Sequence, residues 1–130
     1  MADALDSGAQ GVVTCGGIQS NHCRATAIAA ARLKLPCVLF LRGEKPEIPS
    51  GNTLLDTLCG ATIHYITPEE YSDLDLQERV QQEASLQGFY PIPEGGSNAV
   101  GCWGYIRMVQ ETFGEGAACT PPDVTHIVVA

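Results

Sequence analysis

Short apolar runs and amphipathic stretches alternate along the chain, and this pattern predicts an α/β fold. Apolar runs, most of them rich in β-branched or aromatic residues, predict five strands, at residues 12–15, 37–41, 62–66, 89–92 and 124–130. Strong helix propensity or helix-start signals predict helices at residues 21–33, 52–58, 68–87 and 98–113. Strands that alternate with helices form an open parallel sheet with helices on both faces.

The strand order is predicted from the turn that follows the first strand. A ligand-binding turn is easiest to place where the sheet topology switches direction, and the order 2-1-3-4 puts the first strand at that point. Pro91 cannot donate a hydrogen bond to a neighbouring strand. The fourth strand is therefore expected towards an edge of the sheet.

The turn after the first strand is the most informative segment of the chain. It contains Gly16 and Gly17, which let a ligand approach the backbone closely, and it leads into an alanine-rich helix. Ser20 or Asn21 can cap that helix, whose free N–H groups suit an anion such as a carboxylate or phosphate. A plainer interpretation stays open, in which the glycines form a tight turn and the polar residues are only a cap.

Charge and composition narrow the range of partners. The chain has 130 residues, is 45% hydrophobic and carries a formal net charge of −8. Most of the excess acid lies in residues 66–130, whose only basic residues are Arg79 and Arg107. Because phosphate neutralisation needs a basic face, nucleic acid is not expected as a partner. The acidic stretch 69–83 predicts a solvated helix face, with a docking surface for a basic partner as the alternative.

The sequence also gives expectations for membrane, metal and compartment. No apolar run approaches the length needed to cross a bilayer, and the amino end has no charged-then-apolar leader. A cytoplasmic chain without a membrane partner is therefore expected, although an organellar targeting segment could have been lost upstream. The six cysteines include no Cys-x-x-Cys pair, so reduced structural thiols and no metal site are expected.

The residues of this turn carry a family resemblance. Residues 16–22, Gly-Gly-Ile-Gln-Ser-Asn-His, resemble the asparagine loop of pyridoxal-phosphate enzymes of the tryptophan synthase β fold. The nearest branch is the D-cysteine desulfhydrase and 1-aminocyclopropane-1-carboxylate deaminase family. The similarity continues in order through residues 24–27, 51–56, 60–61, 93–98 and 101–105. It covers nearly all of the chain, which a chance heptapeptide match would not do.

The resemblance implies a function. It predicts a lyase or deaminase that uses pyridoxal 5'-phosphate and acts on a small amino acid, with a homodimer as the full-length assembly. D-cysteine is the preferred substrate, converted to pyruvate, ammonia and hydrogen sulfide. Ring opening and deamination of 1-aminocyclopropane-1-carboxylate is the alternative within the family. A non-catalytic product that only folds or associates is the alternative outside it.

The resemblance also assigns roles to residues of the loop. Asn21 matches the asparagine that hydrogen-bonds the phenolic oxygen of the cofactor, while Ser20 and Gln19 match positions beside the substrate carboxylate. His22 is expected to orient the loop rather than act as a base. Gly95 and Gly96, in a second loop, form either a hinge beside the cleft or an ordinary crossover turn.

The family features that the chain lacks predict an internal fragment. The lysine that binds the cofactor covalently precedes the first strand in the family, and neither Lys34 nor Lys45 takes its place. No catalytic residue is therefore expected in this chain, and the chain alone should be inactive. Residues 1–97 match the small α/β domain without its beginning, and residues 98–130 match the start of the large cofactor-binding domain.

Overall fold

A computed structural model describes residues 1–67, 70, 76–113 and 126, which fall into two compact units, Met1–Gly96 and Ser97–Ala130. The first unit contains α1 (Ala2–Asp6), β1 (Val12–Gly17), α2 (Asn21–Leu33), β2 (Cys37–Arg42), α3 (Gly51–Leu58), β3 (Thr62–Ile66), α4 (Leu76–Gln87), β4 (Tyr90–Pro91) and a 3-10 turn (Glu94–Gly96). The second unit contains α5 (Ala99–Phe113). The assignment of residues 1–97 and 98–130 to a small and a large domain stays a prediction.

The four strands form one sheet in which every pairing is parallel. Its order is β3-β2-β1-β4, so the predicted order 2-1-3-4 is wrong. The physical reason is that β3 bonds to the outer edge of β2, and the chain crosses back only after α4 to reach the free edge of β1. The switch point therefore lies between β1 and β4. The expected edge position of the strand that contains Pro91 is confirmed.

Two hydrophobic clusters, one on each face of the sheet, make the core. The first packs strand residues against α1 and α2, and its buried members are Ala4, Val12, Cys23, Ala27, Ala30, Cys37, Leu39 and Leu41. The second packs strand residues against α4, and its buried members are Val13, Cys15, Val38, Phe40, Ile66, Leu76, Val80 and Ala84. Consecutive strand residues alternate between the clusters because side chains of a strand point to opposite faces. The prediction of helices on both faces is confirmed.

The helix ends follow local signals in the sequence. The predicted bounds of α2 match those of the structure. The residue that follows the helix and caps its end is Lys34, which adopts a left-handed φ of 58°. At the start of α5, the Gly101 N–H donates to Asn98 Oδ1 (2.8 Å), so Asn98 caps the helix. The predicted fifth strand at 124–130 and the first part of the helix at 68–87 fall largely outside the described residues. No helix within the described ranges is long and apolar enough to span a membrane.

Candidate functional site

The site lies at the carboxyl end of β1, where the sheet topology switches. Gly16 and Gly17 are the last residues of β1 and pair with Leu41 and Arg42 of β2. Gly16 is therefore a strand residue and not part of a tight turn. Gly17 ends the strand and also begins a tight turn, since its carbonyl accepts from the Ser20 N–H (2.9 Å). The Ile18 N–H still donates to the Arg42 carbonyl (3.1 Å).

The two glycines differ in what surrounds them. A Cβ on Gly16 would lie 2.8 Å from Ser20 Oγ and 2.9 Å from Cys23 Sγ, so packing against α2 requires glycine there. A Cβ on Gly17 would meet no atom within 4 Å. Neither residue has a left-handed φ. Only the first glycine is thus explained by the packing of the described residues.

Ser20 begins α2 as its N-cap. Its backbone is extended, with φ −64° and ψ 124°, and its Oγ accepts a hydrogen bond from the Cys23 N–H (3.2 Å). The choice left open between Ser20 and Asn21 as the cap is thereby settled in favour of Ser20. Accepting this bond uses a lone pair of the hydroxyl and not its proton. The hydroxyl also contacts the Cys23 thiol and thereby lowers the pKa of Cys23 against the larger effect of burial. Asn21 occupies the first position of the helix and is exposed.

Gln19, Asn21 and Asn52 form a polar group, here called the loop clamp, that ties the turn to the start of α3. Asn52 Nδ2 donates to the Gln19 carbonyl (2.8 Å) and to Asn21 Oδ1 (3.0 Å). Gln19 Oε1 accepts from the Asn52 N–H (2.8 Å), and Gln19 Nε2 donates to the Ser50 carbonyl (3.2 Å). Both amide atoms of Gln19 are therefore bonded to α3, and the role predicted for Gln19 beside a substrate carboxylate stays a prediction.

The clamp leaves one amide nitrogen free. Because Asn21 Oδ1 accepts from Asn52, the Nδ2 of Asn21 faces away from that contact and has no hydrogen-bond partner among the described residues. Sequence reasoning missed the part that Asn52 plays in this arrangement. The signal was present, since Asn52 lies in residues 51–56, one of the segments that carry the family resemblance.

His22 is held by a residue buried beneath the loop. Its Nε2 lies 2.8 Å from Oγ1 of Thr14, which is fully buried in β1, and this contact agrees with the expected orienting role. Burial lowers the pKa of His22, and the nearby Glu94 carboxylate opposes this effect. The net lowering of the pKa favours the neutral imidazole. The spacing of the sequence gave no indication of the contact with Thr14.

An ion pair crosses the end of β1. Arg42, at the end of β2, pairs with Glu94 in the turn that follows β4. Because β1 lies between β2 and β4 in the sheet, this pair bridges over its carboxyl end. Gly95 and Gly96 follow with left-handed φ values of 68° and 63°, which favour glycine over other residues. This conformation agrees with the crossover-turn alternative, while the hinge role stays a prediction.

The nearby thiols are poor nucleophiles. Burial raises the pKa of Cys23 to about 11 and that of Cys37 to about 12, so both stay protonated at neutral pH. None of the five cysteines within the described residues forms a disulfide bond. The same part of the chain brings no three His, Cys, Asp or Glu side chains into an arrangement that could hold a metal ion.

Comparison with known proteins identifies the family. Residues 1–130 match the family described as "Pyridoxal-phosphate dependent enzyme". The chain belongs to this family. Pyridoxal phosphate is thus the cofactor of the family, and the α/β fold with a parallel sheet is the one its members share.

Individual members of the family share substantial identity with the chain. It is 46% identical, over 85% of its length, to the "Bifunctional D-cysteine desulfhydrase/1-aminocyclopropane-1-carboxylate deaminase, mitochondrial" of Arabidopsis thaliana. It is 38% identical, over 99% of its length, to a D-cysteine desulfhydrase of Klebsiella pneumoniae. A crystal structure titled as an ACC deaminase homologue superposes with a TM-score of 0.66 at 36% identity and covers 82% of the chain.

The matched segment is only part of each relative. It corresponds to 30% of the Arabidopsis protein, 40% of the Klebsiella protein and 33% of the crystallised chain. The chain thus spans about a third of the length of these pyridoxal-phosphate-dependent relatives.

The loop fits one side of a pyridoxal-phosphate site. The Nδ2 of Asn21 can donate to an oxygen on a cofactor ring, and the space beside Gly17 holds no protein atom within 4 Å of a Cβ position. The two lysines lie elsewhere, because Lys34 ends α2 and Lys45 lines a groove with Ile63 and Tyr65 of β3. A role of this loop in holding the cofactor stays a prediction, which the donor on Asn21 supports.

Proposed function

We propose that this chain forms the asparagine-loop side of the active site of a pyridoxal-phosphate-dependent lyase that converts D-cysteine to pyruvate, ammonia and hydrogen sulfide. The cofactor, when bound, supplies the electron sink, and the protein determines orientation and bond choice. A full-length enzyme would be a cytoplasmic homodimer. Deamination of 1-aminocyclopropane-1-carboxylate is the second candidate, because the Arabidopsis relative is named for both activities.

The observation that carries the proposal is the fixed amide of Asn21. The bond from Asn52 Nδ2 to Asn21 Oδ1 (3.0 Å) fixes the amide and leaves its Nδ2 without a hydrogen-bond partner among the described residues. A donor at the switch point of a parallel sheet suits the phenolic oxygen of the cofactor. Because the clamp orders this donor before the ligand arrives, less entropy is lost on binding.

Ser20 and the start of α2 suit the substrate carboxylate. The Ser20 hydroxyl accepts from the Cys23 N–H with a lone pair, and a ligand oxygen would take its proton in place of the weakly accepting Cys23 thiol. The positive end of the α2 dipole adds favourable electrostatics for an anion. In this arrangement Gln19 supports the site through α3, since Asn52 and Ser50 already bond to its side chain.

The chain alone is proposed to be inactive. Lys34 follows the end of α2, Lys45 lines a groove with Ile63 and Tyr65, and neither matches the position of the family's lysine in the sequence. No side chain of this segment would therefore attach the cofactor covalently. Sulfide release from D-cysteine by the 130-residue chain at saturating pyridoxal phosphate should not exceed that of a heat-killed control. Sulfide release above that level would contradict this part of the proposal.

A chimera tests the activity directly. The chain replaces the segment of the Arabidopsis relative that it matches, and sulfide release from D-cysteine is compared with ammonia release from 1-aminocyclopropane-1-carboxylate. The proposal expects the first substrate to give the higher kcat/KM. Asn21→Ala should weaken cofactor binding and change its absorbance while the fold persists. A cofactor-loaded chimera with neither activity would overturn the proposal, and size-exclusion chromatography of the same chimera tests the dimer.

Substitutions of Ser20 distinguish a residue that contacts the ligand from one that only caps α2. A cap alone predicts that Ser20→Ala loses about 0.5–2 kcal/mol of stability, Ser20→Gly a few tenths, and that kcat/KM is unchanged. A carboxylate contact predicts that kcat/KM for D-cysteine falls about tenfold to a hundredfold in both variants. Asn98→Ala is the matched control, because it removes a cap bond at α5. Stability loss without a change in kcat/KM would return Ser20 to a structural role.

A further inference from the structure

Thr14 is a buried hydroxyl with two partners at the same distance. Its Oγ1 lies 2.8 Å from His22 Nε2 and 2.8 Å from the Ile92 carbonyl oxygen. Thr14 itself is completely buried in β1. Ile92 is the residue after β4, the strand that pairs with β1. The Thr14 hydroxyl oxygen thus connects β1, α2 and the segment after β4.

The proton count in this contact fixes the state of the histidine. A carbonyl oxygen can only accept, so the single proton of Thr14 goes to Ile92. Oγ1 must then accept from His22, which means that Nε2 carries a proton. Because neutral imidazole has one N–H, the other nitrogen, Nδ1, keeps its lone pair.

The unprotonated nitrogen lies on the side of the ring next to the turn after β4. The Cβ position of Gly96 lies 3.9 Å from His22 Nδ1 and 3.7 Å from Cε1, which places this edge of the ring beside the turn after β4. Nδ1 has no hydrogen-bond partner among the described residues. The carboxylate of Glu94, which pairs with Arg42, acts electrostatically on His22. A side chain at position 96 would begin in van der Waals contact with this edge of the imidazole, whereas glycine adds no side-chain atom there.

We propose that Thr14 is a positioning residue that fixes His22 in the Nε2–H tautomer, so that Nδ1 accepts a hydrogen bond from an amino or hydroxyl group of the bound ligand. A carboxylate at that position would meet a lone pair and the Glu94 charge, and it would be repelled. The substrate is thereby oriented with its carboxylate at Ser20 and its donor group at His22. This orientation of the substrate rests on the proposed function. The tautomer of His22 follows from the contacts of Thr14 and does not depend on that function.

The tautomer is measurable without cofactor. Long-range ¹H–¹⁵N NMR of the 130-residue chain at pH 8 separates protonated from unprotonated imidazole nitrogens. We expect Nε2–H for His22, retained in Thr14→Ser and replaced by a tautomer mixture in Thr14→Val. The exposed Thr62 of β3 supplies the matched control Thr62→Val, which should leave His22 unchanged. An Nδ1–H tautomer in the unsubstituted chain, or an unchanged tautomer in Thr14→Val, would overturn the inference.

Folding and function are then separated by further measurements. Thr14→Val leaves the Ile92 carbonyl without its donor, so melting curves establish that the variant is folded before its spectrum is interpreted. If it unfolds, the unsubstituted chain and Thr14→Ser still decide the tautomer. In the chimera, Thr14→Val should raise KM for D-cysteine, and Thr14→Ser should restore it. An inactive chimera contradicts the proposed function alone, whereas an active chimera with unchanged KM in Thr14→Val contradicts the positioning role.

Discussion

Two neighbouring polar contacts between α2 and α3 are built in opposite ways. At the crevice end, Gln19, Asn21 and Asn52 exchange hydrogen bonds of 2.8–3.0 Å. About one helical turn further along, Arg24 of α2 interacts electrostatically with Asp56 of α3, but Arg24 Nε and Asp56 Oδ1 are buried without a hydrogen-bond partner. The first contact is satisfied and the second is not.

The unsatisfied contact has an energetic consequence. Asp56 is only 1% exposed, and burial raises the pKa of its carboxyl to about 6, while the Arg24 charge opposes that rise. A buried carboxylate that lacks hydrogen bonds destabilises the fold unless it is protonated or well paired. The contact between the two helices is thus hydrogen-bonded next to the turn after β1, where the proposed ligand would bind. One helical turn further on, it has buried polar atoms without hydrogen bonds.

Removing the cation should break the second contact with the largest effect. Arg24→Met keeps the aliphatic stem but leaves the Asp56 charge buried and uncompensated. We expect a loss of about 3 kcal/mol in the free energy of unfolding at pH 8 and little loss at pH 4, where Asp56 is protonated. Denaturant unfolding at both pH values measures it, with Arg32→Met on the exposed end of α2 as the control. An equal loss at both pH values would contradict this account.

The dependence of the unfolding free energy on pH should reveal the buried carboxyl of Asp56 in the second contact. The pKa of Asp56 rises from 3.8 in the unfolded chain to about 6 in the folded one, so the folded state binds more protons between these values. Stability from this group is present below pH 4 and should fall by about 2 kcal/mol between pH 4 and pH 6. Asp56→Asn should flatten that decline, whereas Asp6→Asn, at the exposed end of α1, should not. A profile unchanged in Asp56→Asn would locate the titration elsewhere.

The sequence predicted local structure better than long-range contacts, and these two polar contacts show why. The bounds of α2 and β3 follow from propensity and apolar runs, which act over a few residues. The strand order depends on which sheet edge receives β3 and β4, and no local pattern encodes that choice. The contact of Asn52 with Gln19 spans 33 residues of sequence, and Thr14 looks like any β-branched strand residue. Family resemblance found Ser20 and Asn21 but not their partners.

Breaking the satisfied contact should have a smaller effect. Asn52→Ala removes two side-chain hydrogen bonds, to the Gln19 carbonyl and to Asn21 Oδ1, at a partly exposed position. Because water can replace part of each bond, we expect a loss of about 1 kcal/mol in unfolding free energy. The Asn52 amide, which donates to Gln19 Oε1, should also exchange its hydrogen faster. Asn98→Ala at α5 is the control, and unaltered amide exchange in Asn52→Ala would show that the clamp does not order the loop.

The smallest effect on stability is expected at Gly17, where the crevice opens. A Cβ there meets no atom within 4 Å, so Gly17→Ala should change the unfolding free energy by less than about 0.5 kcal/mol. Gly16→Ala is the matched comparison and should destabilise the chain clearly, because its Cβ would lie 2.8 Å from Ser20 Oγ. In the chimera, we expect the opposite order for the effect on ligand binding, with Gly17→Ala the more harmful of the two substitutions. Gly17→Ala should lower kcat/KM for D-cysteine although it leaves the fold intact, because the methyl group enters space that only a ligand would fill. If Gly17→Ala keeps full activity, that space is solvent and the crevice does not extend to the end of β1.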